Sequence, residues 1–228
     1  PRKFRIKKEI VMEVCGVGIP ASIQNLLNVT GMTILNNFTS AYGADAVAAM
    51  GISYKIYMVP MQVSMGFSQG IMPLVSYNFA SGDRKRMKAS ILFAIKLVVP
   101  ALAVVTLLYY IGSGELISLF MKNESIIAYG SRFLRGFSLG LAFLSLDFLT
   151  VGVFQSLGFG KYALLFAVMR KLVLEIPALL ILNAIFPLYG LAYAQFTAEL
   201  ILGVCAILML RYIFRKYGNN IKTTTDPS

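Results

Sequence analysis

Six apolar stretches, each long enough to cross a bilayer, constrain what this chain can fold into more than any other feature. They lie at roughly 16–40, 45–79, 89–111, 126–157, 163–186 and 188–210, and about 20 apolar residues suffice to span the hydrocarbon core. Lipid offers no hydrogen-bond partner to the backbone, so such stretches fold as helices. The separators are short and carry turn chemistry: Tyr42-Gly43-Ala44, Ser81-Gly82-Asp83, Gly112-Ser113-Gly114, Gly158-Phe159-Gly160 and Pro187. None is long enough to be a soluble domain. The expectation is an all-α integral membrane protein, a six-transmembrane-helix bundle. Residues 1–15 read as a cytoplasmic linker or amphipathic entry, 16–215 as the helical unit, and 216–228 as a polar cytoplasmic tail.

The second stretch is longer than a bilayer requires. Its 35 positions reach about 50 Å at about 1.5 Å per residue, against a core of about 30 Å. It is expected to tilt, to bend at Pro60 or Pro73, or to project from the membrane.

Composition agrees with this class. Of the 228 residues 57% are hydrophobic and 14% charged, where soluble domains are about 45–50% apolar and about 25% charged. The absence of histidine excludes imidazole metal sites, His-based triads and His relays. Cys15 and Cys205 have no CxxC spacing and read as small hydrophobes. No phosphate loop, metal-ligand cluster or nucleophile–base pair appears, so no cofactor is expected, and transport fits better than catalysis. The Gly136-x-x-x-Gly140 spacing reads as close helix packing.

The net charge of +11 is mostly topology. Sixteen Lys and Arg fall on one side of the six spans: the Arg2–Lys8 and Arg84–Lys88 clusters, Lys161 with Arg170 and Lys171, and those from Arg211 to Lys222. Only Lys122, Arg132 and Arg135 fall on the other, while Lys55 and Lys96 lie within spans. By the positive-inside rule this places both ends in the cytoplasm of a multi-pass cell (plasma) membrane protein, and nucleic acid is not an expected partner. The opening Pro1-Arg-Lys-Phe-Arg-Ile-Lys-Lys has no initiator Met and no signal-peptide h-region, so it reads as the middle of a longer polypeptide.

Polar residues inside the spans carry the functional signal, because they are costly in lipid and face a bundle interior or a wet cavity. Gln24, Asn25, Asn28 and Asn36 fall within about 120° of arc at about 100° per residue. In the second span Tyr54, Met58, Met61, Met65 and Met72 form one stripe, and Lys55, Gln62 and Gln69 recur beside it every seven residues. Thioethers adapt to varied apolar partners, so this face is expected either to wall a substrate cavity or to form a Met-rich packing seam. Asp147 lies mid-span, where it can exchange a proton, serve as a hydrogen-bonded structural Asp, or pair with Lys55 or Lys96. Glu199 is a second carboxylate within a span. Glu175, four residues after Lys171, reads as an i,i+4 partner near the cytoplasmic side, and Glu13 as part of a solvated face.

Four segments together resemble one known family. They are Gly18-Ile-Pro-Ala-Ser-Ile-Gln, Ala41-Tyr-Gly-Ala-Asp-Ala-Val-Ala-Ala-Met-Gly-Ile, Gly66-Phe-Ser-Gln-Gly-Ile-Met-Pro-Leu-Val-Ser-Tyr-Asn-Phe-Ala-Ser-Gly-Asp and Phe154-Gln-Ser-Leu-Gly-Phe-Gly-Lys. They resemble the multidrug and toxic compound extrusion (MATE) family over essentially the whole chain. That resemblance implies one lobe, the carboxy-terminal one, of a twelve-helix transporter, with the amino-terminal lobe of the same polypeptide as its partner. It implies an antiporter that exports organic, often cationic drugs in exchange for Na+ or H+ by alternating access. In some relatives an acidic cation ligand stands eight residues after the first-span proline, where this chain has Asn28, and an acid in the fourth span lies near Asp147. Many members carry an acid where Glu199 falls. The ion-coupling candidates are therefore Asp147, Asn28 and Glu199; the cavity candidates are Gln24, Tyr54, Lys55, Met58, Met61, Gln62, Met65 and Gln69. Rival readings are a lipid-linked oligosaccharide flippase of the same superfamily, a membrane-embedded enzyme, and a non-transporting packing subunit or fragment.

Overall fold

The computed structural model describes residues 8–218, without the side chains at positions 8–10, 13, 17, 20, 21, 24, 217 and 218. The linker residues 1–7, the tail 219–228 and the side chains of Glu13 and Gln24 lie outside the described residues. Among the described residues the chain is helical throughout, with no strand. The order is α1 (Lys8–Ser40), α2 (Ala44–Ala80), α3 (Arg84–Ile111), α4 (Ser113–Ser118), α5 (Glu124–Ser138), α6 (Leu141–Ser156), α7 (Gly160–Val168), a π-helical segment (Met169–Glu175), α8 (Ile176–Ile185) and α9 (Gly190–Gly218).

The separators act through ordinary turn chemistry. Gly82 and Gly158 adopt φ of 79° and 78°, a left-handed conformation in which a side chain is strained. Asp83 caps α3 by accepting from the Arg86 amide at 2.9 Å, and Asn123 caps α5 by accepting from the Ser125 amide at 2.9 Å. Leu188 also has a positive φ of 68°, and its amide is held by Asn183 Oδ1, which accepts from the Tyr42 hydroxyl as well. One amide oxygen thus ties the α8–α9 turn to the α1–α2 turn.

Two expectations are refined. The long second stretch is the continuous 37-residue helix α2, and Pro60 and Pro73 sit inside it without breaking it. The stretch 126–157 is two helices instead of one, α5 and α6 meeting at 45°. By length and composition α3 and the Gly190–Lys216 part of α9 can each cross a membrane, and the bent α5–α6 pair makes a third if it is one span. Large apolar side chains on the outer face of α3, among them Phe93, Val104, Leu107 and Ile111, are exposed, as a lipid-facing helix requires.

α6 is the centre of the bundle. Apolar all round, it offers no face to water, and from Leu144 through Phe154 every residue is buried. It packs on α2, α3, α7 and α9, while α2 packs on α5 as well. The GxxxG reading holds at Gly136, where an added Cβ would meet the Ala192 Cβ of α9 at 2.8 Å. A polar group in the middle of α6 is therefore delivered into the interior, and the one charged group α6 carries is Asp147, 1% exposed.

Candidate functional site: a buried charge cluster on Arg170

The carboxylate of Asp147 points across the bundle at Arg170, whose Nε is 3.7 Å from Asp147 Oδ2. Glu199 of α9 approaches the same guanidinium, with Oε1 at 3.5 Å from Nη1. Asn28 of α1 closes it from a third side, its Oδ1 accepting from Nη2 at 2.6 Å. The Phe148 ring lies beneath, its centroid 5.3 Å from the guanidinium carbon, close enough for a cation–π contact. Arg170 is 3% exposed and Glu199 fully buried.

These contacts correct the expected pairing of Asp147. Lys55 and Lys96 are both exposed, and the partner of Asp147 is Arg170. The positive-inside count is corrected too: Arg170 and Lys171 are buried inside the protein and are not loop charges. Of the sixteen basic residues on that side, fourteen remain.

Helix geometry explains how three charges from one short segment all turn inward. In an α-helix, at about 100° per residue, Arg170 and Glu175 would stand about 140° apart. The i→i+5 bonding of a π-helix widens the turn, so residues five apart share a face; such segments are rare and frequently lie at functional sites. Arg170, Lys171 and Glu175 are accordingly all buried. Lys171 Nζ donates to Glu175 Oε1 at 2.6 Å, the i,i+4 pair expected from the sequence, but in the interior. This pair packs on Gly31 of α1, where an added Cβ would lie 3.0 Å from Lys171 Nζ.

The cluster thus contains three carboxylates and two cations, a formal excess of one negative charge. Asp147 Oδ1, Glu175 Oε2, Glu199 Oε2 and Arg170 Nε are buried with no hydrogen-bond partner among the described residues. Orphaned buried oxygens are costly, and carboxylate oxygens of this kind can take up a proton or a hard cation. Among the described residues no group of three or more His, Cys, Asp or Glu is arranged to hold a metal ion.

Beside the cluster is a cavity of about 90 Å3 between α1, α2 and α6. Asn28, Met65 and Gln69 line it together with Asn25, Ser68 and Gln155. The other cavity candidates of α2 are not gathered there. Tyr54 is half-buried in an aromatic group with Tyr57 and Phe137, at centroid separations of 6.0 Å to each. Met61, like Tyr54, packs on the apolar core, as Met65 does beside the cavity. Met58 is half-buried, while Lys55 and Gln62 are exposed.

The sequence reading missed Arg170 as the hub, and it missed Gln155 and Gln195; it paired Lys171 with Glu175 but placed the pair near the cytoplasmic side and not in the interior. Gln195 is buried and donates to the Tyr57 hydroxyl at 2.7 Å. The signal for Arg170 was legible: it stands seven residues past the start of the 163–186 stretch, too deep for a loop charge.

Comparison with known proteins places this geometry in a family. The MatE family model matches residues 20–181. The multidrug export protein MepA of Staphylococcus saprophyticus is 34% identical over 212 residues, covering 92% of this chain and 46% of that protein. MepA of Staphylococcus haemolyticus is 31% identical over 208 residues, covering 91% and 45%. Among solved structures, the outward-facing conformation of a multidrug resistance MATE family transporter of the MOP superfamily matches with a TM-score of 0.88 at 19% identity, over 96% of this chain and 50% of that one. The Vibrio cholerae MATE transporter VcmN in the bent form matches with a TM-score of 0.85 at 17% identity, over 95% and 49%. At such identities these structures speak for the fold alone. The chain spans about half the length of the relatives it matches. With the family model covering most of its length and its helices superposing on one half of those transporters, the chain belongs to the MatE family.

Proposed function

We propose that the chain forms one six-helix lobe of a twelve-helix antiporter, not an enzyme. The antiporter exports organic, often cationic compounds across the plasma membrane in exchange for Na+ or H+, with both ends of this lobe in the cytoplasm. The observation that carries the reading is the buried cluster of three carboxylates and two cations, an arrangement that a membrane protein with a purely structural role does not need. The match to half of the MepA multidrug export proteins supports the same reading.

In this mechanism Asp147 and Glu199, with Asn28, form the ion-coupling site. The α2 face from Tyr54 to Gln69, together with Gln24 of α1, walls the substrate path against the amino-terminal lobe. Ion binding or protonation favours one of two states, inward-open or outward-open, and substrate the other; each acts only through its differential affinity. Reversing a 1:99 population takes about 5.5 kcal/mol, an energy within reach of rearranged buried charge. The net negative formal charge of the cluster weighs against a flippase for anionic lipid-linked substrates.

The test is Asp147→Asn in the full-length protein, reconstituted in vesicles with an imposed ion gradient. Gradient-driven efflux of an organic cation is expected to be lost while expression and folding persist. Efflux equal to the parent's would remove Asp147 from the coupling role.

A further inference from the structure

Three oxygens from three helices converge on one guanidinium: Asp147 Oδ2 from α6, Glu199 Oε1 from α9 and Asn28 Oδ1 from α1. Two carboxylates and a side-chain amide oxygen are the donors that hard cations take. Here the position among them is filled by a cation that is part of the chain. The fit is close at one donor and loose at two. Asn28 accepts at 2.6 Å, whereas the carboxylate contacts of 3.5 and 3.7 Å exceed the roughly 2.7–2.9 Å of a strong charge-assisted bond. Among the described residues, one oxygen of each carboxylate has no hydrogen-bond partner, although both are buried. The guanidinium therefore balances the charge of the pair without saturating its oxygens.

We infer that Arg170 is the resident cation of this site and a specificity-determining residue, which keeps inorganic monovalent cations off the Asp147–Glu199 pair. A guanidinium does not lose its proton in a protein, so its occupancy cannot be relieved by deprotonation. The Phe148 ring and Asn28 hold it most closely, while Glu199 accepts only a long hydrogen bond of 3.5 Å from Nη1 and Asp147 faces Nε at 3.7 Å. Without Arg170 the cluster has three carboxylates and a single ammonium, Lys171, which is already engaged with Glu175. Uncompensated buried charge is severely unfavourable, so a cation from solution is drawn into the place of the guanidinium. The inference rests on the proposed coupling role of Asp147 and Glu199 and narrows it: with Arg170 in the place that Na+ would take, the ion exchanged at the pair is a proton. Its test reads ion binding, not efflux, so either can fail while the other stands.

The experiment measures bound radioactive sodium per polypeptide, at equilibrium, on the purified full-length transporter with choline as the balancing cation. Arg170→Gln is expected to bind about one more sodium than the parent, by the single-site linkage that adds one ligand per new site. That gain is expected to vanish in Arg170→Gln/Asp147→Asn, and to be absent in Arg170→Lys, which keeps a tethered cation. A second arm leaves Arg170 intact and so does not depend on the folding of its variants. Asp147→Asn and Glu199→Gln, which lose the proton exchange of the pair, are expected to have no bound sodium to lose, because Arg170 already excludes that ion from it. A folded Arg170→Gln that gains no sodium, or a parent whose bound sodium is lost in Asp147→Asn, would overturn the inference.

Discussion

Replacing Gly136 by Ala tests how the α5–α9 contact sets the charge cluster. A Cβ at position 136 would lie 2.8 Å from Ala192 Cβ and 3.3 Å from the Ala192 carbonyl carbon. Carbon atoms rest at about 3.5–4.0 Å, so the helices must separate or tilt by about an ångström. Overpacking of this kind costs about 1–3 kcal/mol. The better helix propensity of Ala returns up to about 1 kcal/mol, leaving a net loss of about 1 kcal/mol. The displacement also matters for the site, because Ala192, Gln195 and Glu199 succeed one another along α9 at spacings of three and four, on one face. The Glu199–Arg170 contact, already 3.5 Å, stretches further when α9 moves. Gly140→Ala is the internal control: the nearest neighbours of its Cβ are Glu199 Cγ at 3.4 Å and, at 3.6 Å, Glu199 Cβ and the Phe137 carbonyl oxygen, all ordinary contacts. Thermal unfolding of the full-length transporter in detergent is the assay. Gly136→Ala is expected to unfold at lower temperature than Gly140→Ala. Gly136→Ala/Ala192→Gly, which moves the methyl across the interface, is expected to recover most of the loss, with a coupling energy above about 0.5 kcal/mol. Equal stability of the two single variants, or a cycle with no coupling, would refute the packing argument.

Two further outcomes follow from the buried polar contacts. Lys171→Met leaves the Glu175 carboxylate buried and unpaired, at an expected cost of about 3–5 kcal/mol, whereas Lys171→Met/Glu175→Leu removes both charges and should recover most of it; denaturant unfolding distinguishes the two, and a single variant as stable as the double would place water at the pair. Tyr57→Phe takes the acceptor from the buried Gln195 amide, for an expected loss of about 1 kcal/mol, read from the same melting curves; no change would mean that the amide finds another acceptor.

Much of the molecule was legible one segment at a time. Apolar length gave the helices; Gly82 and Gly158 marked two turns, where the structure gives them positive φ, and the Gly136-x-x-x-Gly140 spacing marked a close helix contact, which the structure places against α9 at Gly136. A carboxylate in an apolar run also announced its own burial, as at Asp147 and Glu199. These are properties of single segments, fixed by the transfer of side chains and backbone out of water, and a linear sequence displays them directly.

What only the tertiary structure decided is which polar groups meet. Asn28, Asp147, Arg170 and Glu199 come from four separate helical segments, and nothing in their local sequence says that one guanidinium serves three of them. The π-helical register that turns Arg170, Lys171 and Glu175 inward is a choice of hydrogen-bond partner, to which hydropathy is blind. The same two cations that a charge count assigns to a loop are taken into the interior because carboxylates on α6, α9 and their own helix wait for them there. Burial of a charge depends on its partner, and partners are set by packing.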